Sequence, residues 1–570
     1  MKRIPAVALI LVLAGCGPRA GTTDDPAKGI GRKVEPWENV ASRLRKETDL
    51  ATCRTALGQL NNELTERTDL PPVPGLSPEA EKALAALVPL STTDLSEIRP
   101  AAFTALDPAY LAECFYFRDA ARSLDPSGLP PRELTRLAFA WVCRQVYLQP
   151  WEVDPAGYIP AVAPTFTLGR GYGSGLERAY VFLAILQQMG IDGCLVGDAS
   201  LGTFRTDGRK SIVTRGPFWA VGARIDSDII LFNPWSGEPF PASDGKGVAT
   251  LAQIKANPAN WKLKPDDVSG SSIALAVPLS ALAPRLALLE SKIAADTGVK
   301  LAVDAEAMKK RFPPEARFWN HPEDRFSYTR LLSAFLPTEE GGLDRSELQH
   351  RPHTLYFRSL VPASLTELPA ELSPAVAERL QMGIRGVYSS AFFAPPTPRE
   401  RIQRGQFQDA ARDLTQKQQA FVRGLERIRS VAPGELNQWQ ETANAMHENL
   451  TRARYPDPNQ TTPLPDSNSE VADAKAKMEE FWKTTEGISR VLIDRGTASI
   501  GRSESAYLLA LAKHEEAERS VSRNSGSDAW KEAATAWNAF LEQDEAATLP
   551  ARSAHAKSLQ SRAKHMIEAK

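Results

Sequence analysis

The strongest constraint on the fold comes from one continuous stretch, GYGSGLERAYVFLAILQQMGIDGCLVG, which runs from Gly171 to Gly197. The glycines at its start indicate a turn, the residues after them predict one apolar helix, and its last residues predict a short strand. Ser174 stands where the helix begins, and serine is among the best N-cap residues. The stretch therefore predicts a glycine-rich turn, a helix capped by Ser174 and a strand, in that order.

A further helix and two further strands are predicted around this stretch. The sequence PRELTRLAFAWVCRQVYLQ, which begins at Pro131, is richly apolar and reads as a helix. The runs FWAVGARI and DIILFNPWSGEPF come later and read as strands. Because a helix precedes the strands and βαβ units do not repeat, we expect an α+β core in a chain that is mostly α overall.

The length of 570 residues is too great for a single core and predicts several domains. Asp49 is expected to cap a helix between Glu35 and Arg67, and Asp107 is expected to begin another. We expect the following parts: a signal peptide at 1–15, a flexible tether at 16–34, a helical N-terminal region at 35–125, the α+β core at 126–270, an α/β extension at 271–395, a helical segment at 396–453, a polar linker at 454–470, and C-terminal helical hairpins at 471–570.

The N-terminus carries a targeting signal. Lys2 and Arg3 are followed by an apolar run from Ile4 to Ala14, and small residues then precede Cys16. This arrangement resembles the bacterial lipobox, and the resemblance implies a thioether-linked diacylglycerol and an N-acyl chain, such as palmitate, on Cys16. Two or more acyl chains give stable anchoring. We therefore expect a lipoprotein held on the membrane, on the exported side of the cell envelope; the alternative is an ordinary secretory signal with an incidental cysteine.

Charge and cysteine content limit the remaining choices. The formal net charge of −1 argues against a nucleic-acid partner, because nucleic-acid binders usually carry a strong basic excess. An exported protein can form disulfides, but burial of free thiols in apolar surroundings is an equally good interpretation. The cysteines concerned, which could pair in three ways, are Cys53, Cys114, Cys143 and Cys194.

Three segments in order carry a family resemblance: LAFAWVCRQV, GYGSGLERAYVFLAILQQMGIDGCLVG and PFWAVGARIDSDIILFNPWSGEPF. Together, over roughly residues 130 to 242, they resemble the core of the transglutaminase-like superfamily, which has a papain-like fold. The segments RGYGSGLERA and GIDGCLV also resemble a set of lipoproteins from planctomycete-type bacteria. The resemblance implies a helix that begins with a cysteine nucleophile, a strand with its histidine base, and a strand that ends with an orienting aspartate.

This chain departs from the family pattern at every catalytic position. Gly175 stands in place of the cysteine, Phe218 or Trp219 in place of the histidine, and Asn233 in place of the aspartate. No histidine precedes His321, so a cysteine–histidine pair would require a distant part of the chain to return to the cleft. The resemblance therefore implies a catalytically degenerate member that acts as a binding or scaffolding module for a protein or a cell-wall peptide.

The alternative function is an acyl-transfer or peptidase-type enzyme with a non-standard nucleophile. Ser174 is the fallback nucleophile, although a role as N-cap explains it as well. Cys143 is the other candidate, although it lies in an apolar helix and reads as a core residue. A third interpretation is a structural protein that acts through its helical hairpins alone.

Three side chains and the N-terminal end of one helix are candidates for binding a ligand. Arg178 could pair with a ligand carboxyl or with a neighbouring acid, and Trp219 and Trp235 could floor a groove or pack in the core. Gly175 could leave backbone N–H groups open to an anion, or could belong to a tight turn that needs positive φ angles. The sequence contains no HExxH motif or phosphate-binding loop, so we expect neither a metal site nor a cofactor.

Overall fold

The structure is a computed structural model, and the protein is mostly helical with a small, largely antiparallel sheet. The predicted signal peptide, Cys16 and the tether lie outside the described residues. In the part that is described, no helix combines the length and the apolar character that crossing a membrane requires. The structure describes residues 35–46, 48–67, 69, 72–78, 81, 96, 99–124, 128–148, 164–197, 218–263, 265–275, 284–302, 305–318, 372–392, 396–428, 432–457, 459–521, 527–543 and 550–569.

The strands form two sheets. Their bounds are β1 Tyr147–Leu148, β2 Tyr172–Gly173, β3 Gly193–Gly197, β4 Phe218–Ile225, β5 Asp228–Asn233, β6 Glu238–Pro239, β7 Ser272–Leu275 and β8 Arg317–Phe318. The larger sheet has the order β6-β5-β4-β3-β7-β8, with only the β7–β8 pair parallel, and β1 pairs with β2 in a separate parallel ribbon. The sheet therefore continues beyond residue 270, where the sequence predicts the start of a separate extension.

Helices pack against both faces of the larger sheet, and N-terminal helices form a further apolar cluster. Their bounds are α1 Pro36–Leu44, α2 Leu50–Glu66, α3 Leu106–Ser123, α4 Pro131–Gln145, α5 Pro164–Arg170, α6 Gly175–Met189, α7 Leu251–Ala256, α8 Pro265–Ser269, α9 Pro284–Thr297 and α10 Ala305–Arg311. The central helix is α6, and its residues from Gly175 to Leu186 are all buried. It packs with α4 and the inward face of β4 and β5 in one apolar cluster that contains Phe139, Phe182 and Phe232.

The C-terminal part is a stack of antiparallel helices. Their bounds are α11 Pro374–Phe392, α12 Pro398–Gln403, α13 Phe407–Ile428, α14 Pro433–Arg454, α15 Ser469–Thr484, α16 Glu486–Val521, α17 Ser527–Leu541 and α18 Pro550–Glu568. The longest helix, α16, packs against α13 and α17. Tyr147 of β1 and Tyr172 of β2 are buried in the same apolar cluster as Tyr507 and Trp537 of this stack. The ribbon thus joins the core to the C-terminal helices.

The predicted helices and strands around the central stretch are confirmed, and two N-terminal predictions need correction. The region from Glu35 to Arg67 forms two helices rather than one, and Asp49 caps the second by accepting a hydrogen bond from Thr52 N at 2.8 Å. Asp107 does not cap α3, because it lies inside the first turn. Its carboxylate there accepts a bond of 2.7 Å from Nε of Arg285, and both side chains are completely buried.

The four described cysteines are free thiols. Cys53 and Cys114 lie in the N-terminal apolar cluster, and Cys194 lies in the cluster on the outer face of the sheet. Burial raises the pKa of Cys53 and of Cys194 to about 12. The disulfide interpretation is therefore wrong for these residues, and the thiols contribute as small apolar side chains.

Glu113 of α3 gives the first testable prediction. One of its carboxylate oxygens is buried without a hydrogen-bond partner, and burial raises the pKa of Glu113 from 4.5 to about 8. Folding therefore binds a proton, so the contribution of this carboxyl is fully present below pH 4.5 and is lost as the pH rises through about 8. We expect Glu113→Gln to remove up to about 1.4 kcal/mol of pH-dependent destabilisation per pH unit within that range.

The measurement is urea denaturation of wild type and Glu113→Gln between pH 5 and pH 9. Glu133→Gln is the matched control, because Glu133 lies on the exposed face of α4 and pairs with Arg136. Equal pH slopes for wild type and Glu113→Gln would contradict the assignment.

Candidate functional site

The N-terminal end of α6 is closed by local hydrogen bonds. Ser174 Oγ accepts a bond from Glu177 N at 3.2 Å, and the Glu177 carboxylate accepts one from Ser174 N at 2.8 Å. Glu177 also forms an ion pair of 2.6 Å with Arg170. Ser174 is therefore the predicted N-cap, and within the described residues no base contacts its hydroxyl to activate it as a nucleophile.

Gly175 is explained by a close contact rather than by backbone conformation. A Cβ atom built on Gly175 would lie 2.6 Å from Cε3 and 2.8 Å from Cε2 of Trp235. The positive φ angle predicted for this turn occurs at Gly171, where φ is +77°, and Gly175 does not share it. The indole thus covers the N-terminal end of α6, and no side chain fits beneath it at Gly175.

Asn233 places the Trp235 ring. Its Oδ1 accepts hydrogen bonds from the backbone N–H groups of Trp235 at 2.9 Å and Ser236 at 3.1 Å, which closes the turn after β5. Trp235 Nε1 then donates to the carbonyl of Phe218 at 3.3 Å. Gly175, Phe218 and Asn233, for which the sequence resemblance implied catalytic positions, therefore lie at one end of the sheet, where Trp235 contacts all three.

The two aromatic residues at the start of β4 face opposite sides of the sheet. Phe218 lies in the cluster with α4 and α6, on the inner side. Trp219 packs edge-to-face on Phe240 and donates to Ser271 Oγ at 2.8 Å, on the outer side. Trp219 and Trp235 consequently do not line one groove, and packing is the one of the two interpretations left open by the sequence that these contacts favour.

Cys143, the other fallback nucleophile, is enclosed near the end of α4. Burial raises the pKa of its thiol, although Arg178 and Arg144 act in the opposite direction. A histidine does return from a distant part of the chain: Nε2 of His555 lies 3.1 Å from the carbonyl oxygen of Cys143. His555 Nδ1 lies 2.9 Å from the Tyr507 hydroxyl. Within the described residues, then, the histidine contacts the backbone of Cys143 and no base contacts the thiol.

Arg178 is buried, and among the described residues no neighbouring acid pairs with it. Its Nε donates to the carbonyl of Val146 at 2.8 Å, and its Nη1 donates to the carbonyl of Pro234 at 3.2 Å. Burial lowers the pKa of Arg178. Arg178 therefore joins the end of α4 to the turn that carries Trp235.

The C-terminal helices cover the surface at the end of α4. Arg144 at the end of α4 forms two bonds to Glu515 of α16, at 2.8 and 3.0 Å, and both side chains are almost fully buried. Gln145 Nε2 donates to the same carboxylate at 2.9 Å. The α+β core and the C-terminal helix stack are thus joined by the buried ion pair between Arg144 and Glu515.

A second carboxylate completes this group. Glu518 lies 3.6 Å from Arg144 and also pairs with Arg562 of α18. Burial by itself would raise the pKa of Glu518, but Arg144, His514 and Arg562 outweigh burial and hold that pKa well below its usual range. The group contains two arginines and two glutamates, so each guanidinium has a carboxylate partner.

Two cavities lie away from the end of α6. One, of about 470 Å³, is a polar cleft between α1 and α2 that includes Arg43, Lys46 and Glu63. The other, of about 670 Å³, is an open groove over α16 between α13 and α17, with Leu509 and Ala539 in its lining. Among the residues described, no three His, Cys, Asp or Glu side chains cluster as metal ligands would.

The sequence missed the C-terminal residues that close the site. Glu515 falls on the buried stripe of α16 that also carries Leu508, Leu511 and Ala512. A carboxylate on an apolar stripe needs a buried cation, and this was the available signal. The signal does not identify Arg144, which is distant in sequence.

Comparison of the chain with protein-family models, with curated proteins and with solved structures gives no match.

The contact between Gly175 and Trp235 predicts a specific pattern of stabilities. We expect Gly175→Ala to lower the free energy of unfolding by about 1–3 kcal/mol, because the added methyl group overlaps the indole. In a Trp235→Ala background the same change is expected to cost little. Gly169→Ala in α5 is the control, since a Cβ there meets nothing within 4 Å. The free energies of unfolding are measured by urea titration. An equal loss on Gly175→Ala in both backgrounds would contradict this explanation.

The Arg144–Glu515 pair gives a second prediction for this site. Arg144→Gln leaves a buried carboxylate without its cation, and we expect it to cost about 3–5 kcal/mol. Arg136→Gln, which breaks the exposed pair with Glu133, should cost less than about 1 kcal/mol. Hydrogen exchange in α4 and α16 and urea titration measure the two effects. A cost of Arg144→Gln no larger than that of Arg136→Gln would show that the pair does not hold the helices together.

Proposed function

We propose that this protein is a cell-envelope lipoprotein in which a catalytically degenerate transglutaminase-like core serves as a binding or scaffolding module. The single observation that carries the proposal is the indole of Trp235 against Gly175, which leaves no room for a nucleophile at the end of α6. The environments of Ser174 and Cys143 support it, because neither side chain contacts a base within the described residues. Membrane attachment through Cys16 is part of the same proposal and rests on the lipobox resemblance.

The binding surface in this proposal lies on the C-terminal helices. The end of α4 is already occupied by α16 and α18 of the same chain, and the start of α6 is covered by Trp235. The groove between α13 and α17 is open, and its lining from Ala411 to Gln419 along α13 is about 12 Å long at 1.5 Å per residue. That length accommodates about four residues of an extended chain. The occupant we propose is a peptide, contributed by a protein partner or by the cell wall.

Affinity capture of the full-length lipidated protein from its own membranes tests this function. Ala539→Arg places a long side chain in the groove from an exposed position, and Ala51→Arg makes the same change on the exposed surface of α2. We expect the captured partner to be lost with Ala539→Arg and retained with Ala51→Arg. Loss or retention of the partner with both variants would contradict the placement of the surface.

A separate assay tests the absence of catalysis. The purified protein is incubated with an electrophilic glutamine-type amide probe, and covalent attachment is mapped by mass spectrometry. We expect no specific attachment to Ser174 or Cys143. Labelling of wild type that disappears in Ser174→Ala or Cys143→Ala would favour the enzyme instead.

A further inference from the structure

Two buried arginines between the core and the C-terminal helices have no carboxylate of their own. Arg178 of α6 and Arg399 of α12 are 5% and 4% exposed, respectively. The nearby Glu504 pairs with Arg552 at 2.7 Å, and Arg399 reaches the other oxygen of that carboxylate only at 3.8 Å. Arg178 makes no ion pair with any described residue, and its hydrogen bonds go to the carbonyls of Val146 and Pro234.

The end of α4 compensates only part of this charge. Arg399 Nη1 donates to the carbonyl of Gln145 at 3.4 Å, and Arg178 donates to the next carbonyl along the chain. A helix C-terminus carries roughly half an elementary negative charge, whereas the two guanidinium groups carry two positive charges. Arg399 Nη2 is moreover buried without a hydrogen-bond partner. Uncompensated positive charge therefore remains in a region with little water.

The other ionisable groups here supply no negative charge. Burial lowers the pKa of His555 to about 3, and it raises the pKa of Tyr147 to about 12 and that of the Cys143 thiol above its usual value. These side chains are neutral near pH 7. They surround the arginines with neutral polar atoms and aromatic rings.

A neighbouring group of charges at the same interface differs from the two arginines, because each of its guanidinium groups has a carboxylate partner. Arg144 and Arg562 face Glu515 and Glu518 at the same interface, with one carboxylate for each guanidinium. Buried charges in proteins are paired, and an unsatisfied buried donor commonly marks an ion or water at that place. The contrast between the two groups points to a negative charge that none of the described residues contributes.

We propose that Arg178 and Arg399 hold one small anion, of the size of chloride or a simple carboxylate, between the end of α4 and the C-terminal helices. Guanidinium groups suit this role because they stay charged when buried and present several fixed N–H donors. The anion would bind both the core and the stack, so its binding would stabilise their contact. This site is separate from the groove over α16 and from the peptide proposed to bind there.

Thermal unfolding of the purified full-length protein tests the anion. Ionic strength is kept constant while gluconate is replaced by chloride, acetate or phosphate. We expect the Tm of wild type to rise by several degrees with at least one of these ions and to saturate with its concentration. The three arms identify which anion is bound.

Variants assign the effect to the site. Arg178→Gln and Arg399→Gln are expected to lose most of the anion-dependent rise in Tm, whereas Arg136→Gln, which breaks the exposed pair with Glu133, is expected to keep it. If the first two variants fail to fold, line broadening of chloride in ³⁵Cl NMR, and its reversal by acetate or phosphate, gives the answer on wild type. A wild-type Tm that is the same in all four anions, with no chloride broadening, overturns the proposal.

Discussion

The buried bond between Arg144 and Glu515 is the contact on which the arrangement of the two halves depends. Without it, the end of α4 would present a cation and several unpaired carbonyls to an apolar helix stack. With it, Cys143, Gln145 and Val146 all find donors on other segments, namely His555, Arg399 and Arg178. One short stretch at the end of a helix therefore organises the whole interface.

The same contact explains why the central helix is so thoroughly enclosed. The sheet covers α6 on one side, the turn after β5 covers its N-terminal end, and the C-terminal helices lie beyond the ribbon of β1 and β2. In an enzyme of the related type, substrate would need access to this end. Here the space is filled by Trp235, and the surface next to it is used for contacts within the chain.

Sequence reasoning succeeded where short-range forces decide the outcome. The Ser174 cap, the end of α6 at Gly190 and the strands from Phe218 to Asn233 follow from neighbouring residues, and each was predictable. It failed where distant segments decide. The ion pair of Asp107 with Arg285 displaced a predicted cap, and the pairing of β7 with β3 carried the sheet past residue 270.

The candidate site also combines features that are set by neighbouring residues with features that are set by distant ones. Gly175, Phe218 or Trp219, and Asn233 could be singled out from the sequence, because local motifs draw attention to them. The ring that fills the position above Gly175 could not, since Trp235 is 60 residues away and reads equally well as a ligand contact or a core residue. The approach of His555 to the carbonyl of Cys143 spans 412 residues and leaves no local pattern.

The contact between Trp235 and Gly175 also has an evolutionary consequence. A single codon change that introduced cysteine at Gly175 would place its side chain against the indole, so this change alone would destabilise the fold. Trp235 would have to be replaced first, which would remove its hydrogen bond to the carbonyl of Phe218 and expose the end of the helix. A side chain at position 175 therefore requires at least two substitutions in a fixed order.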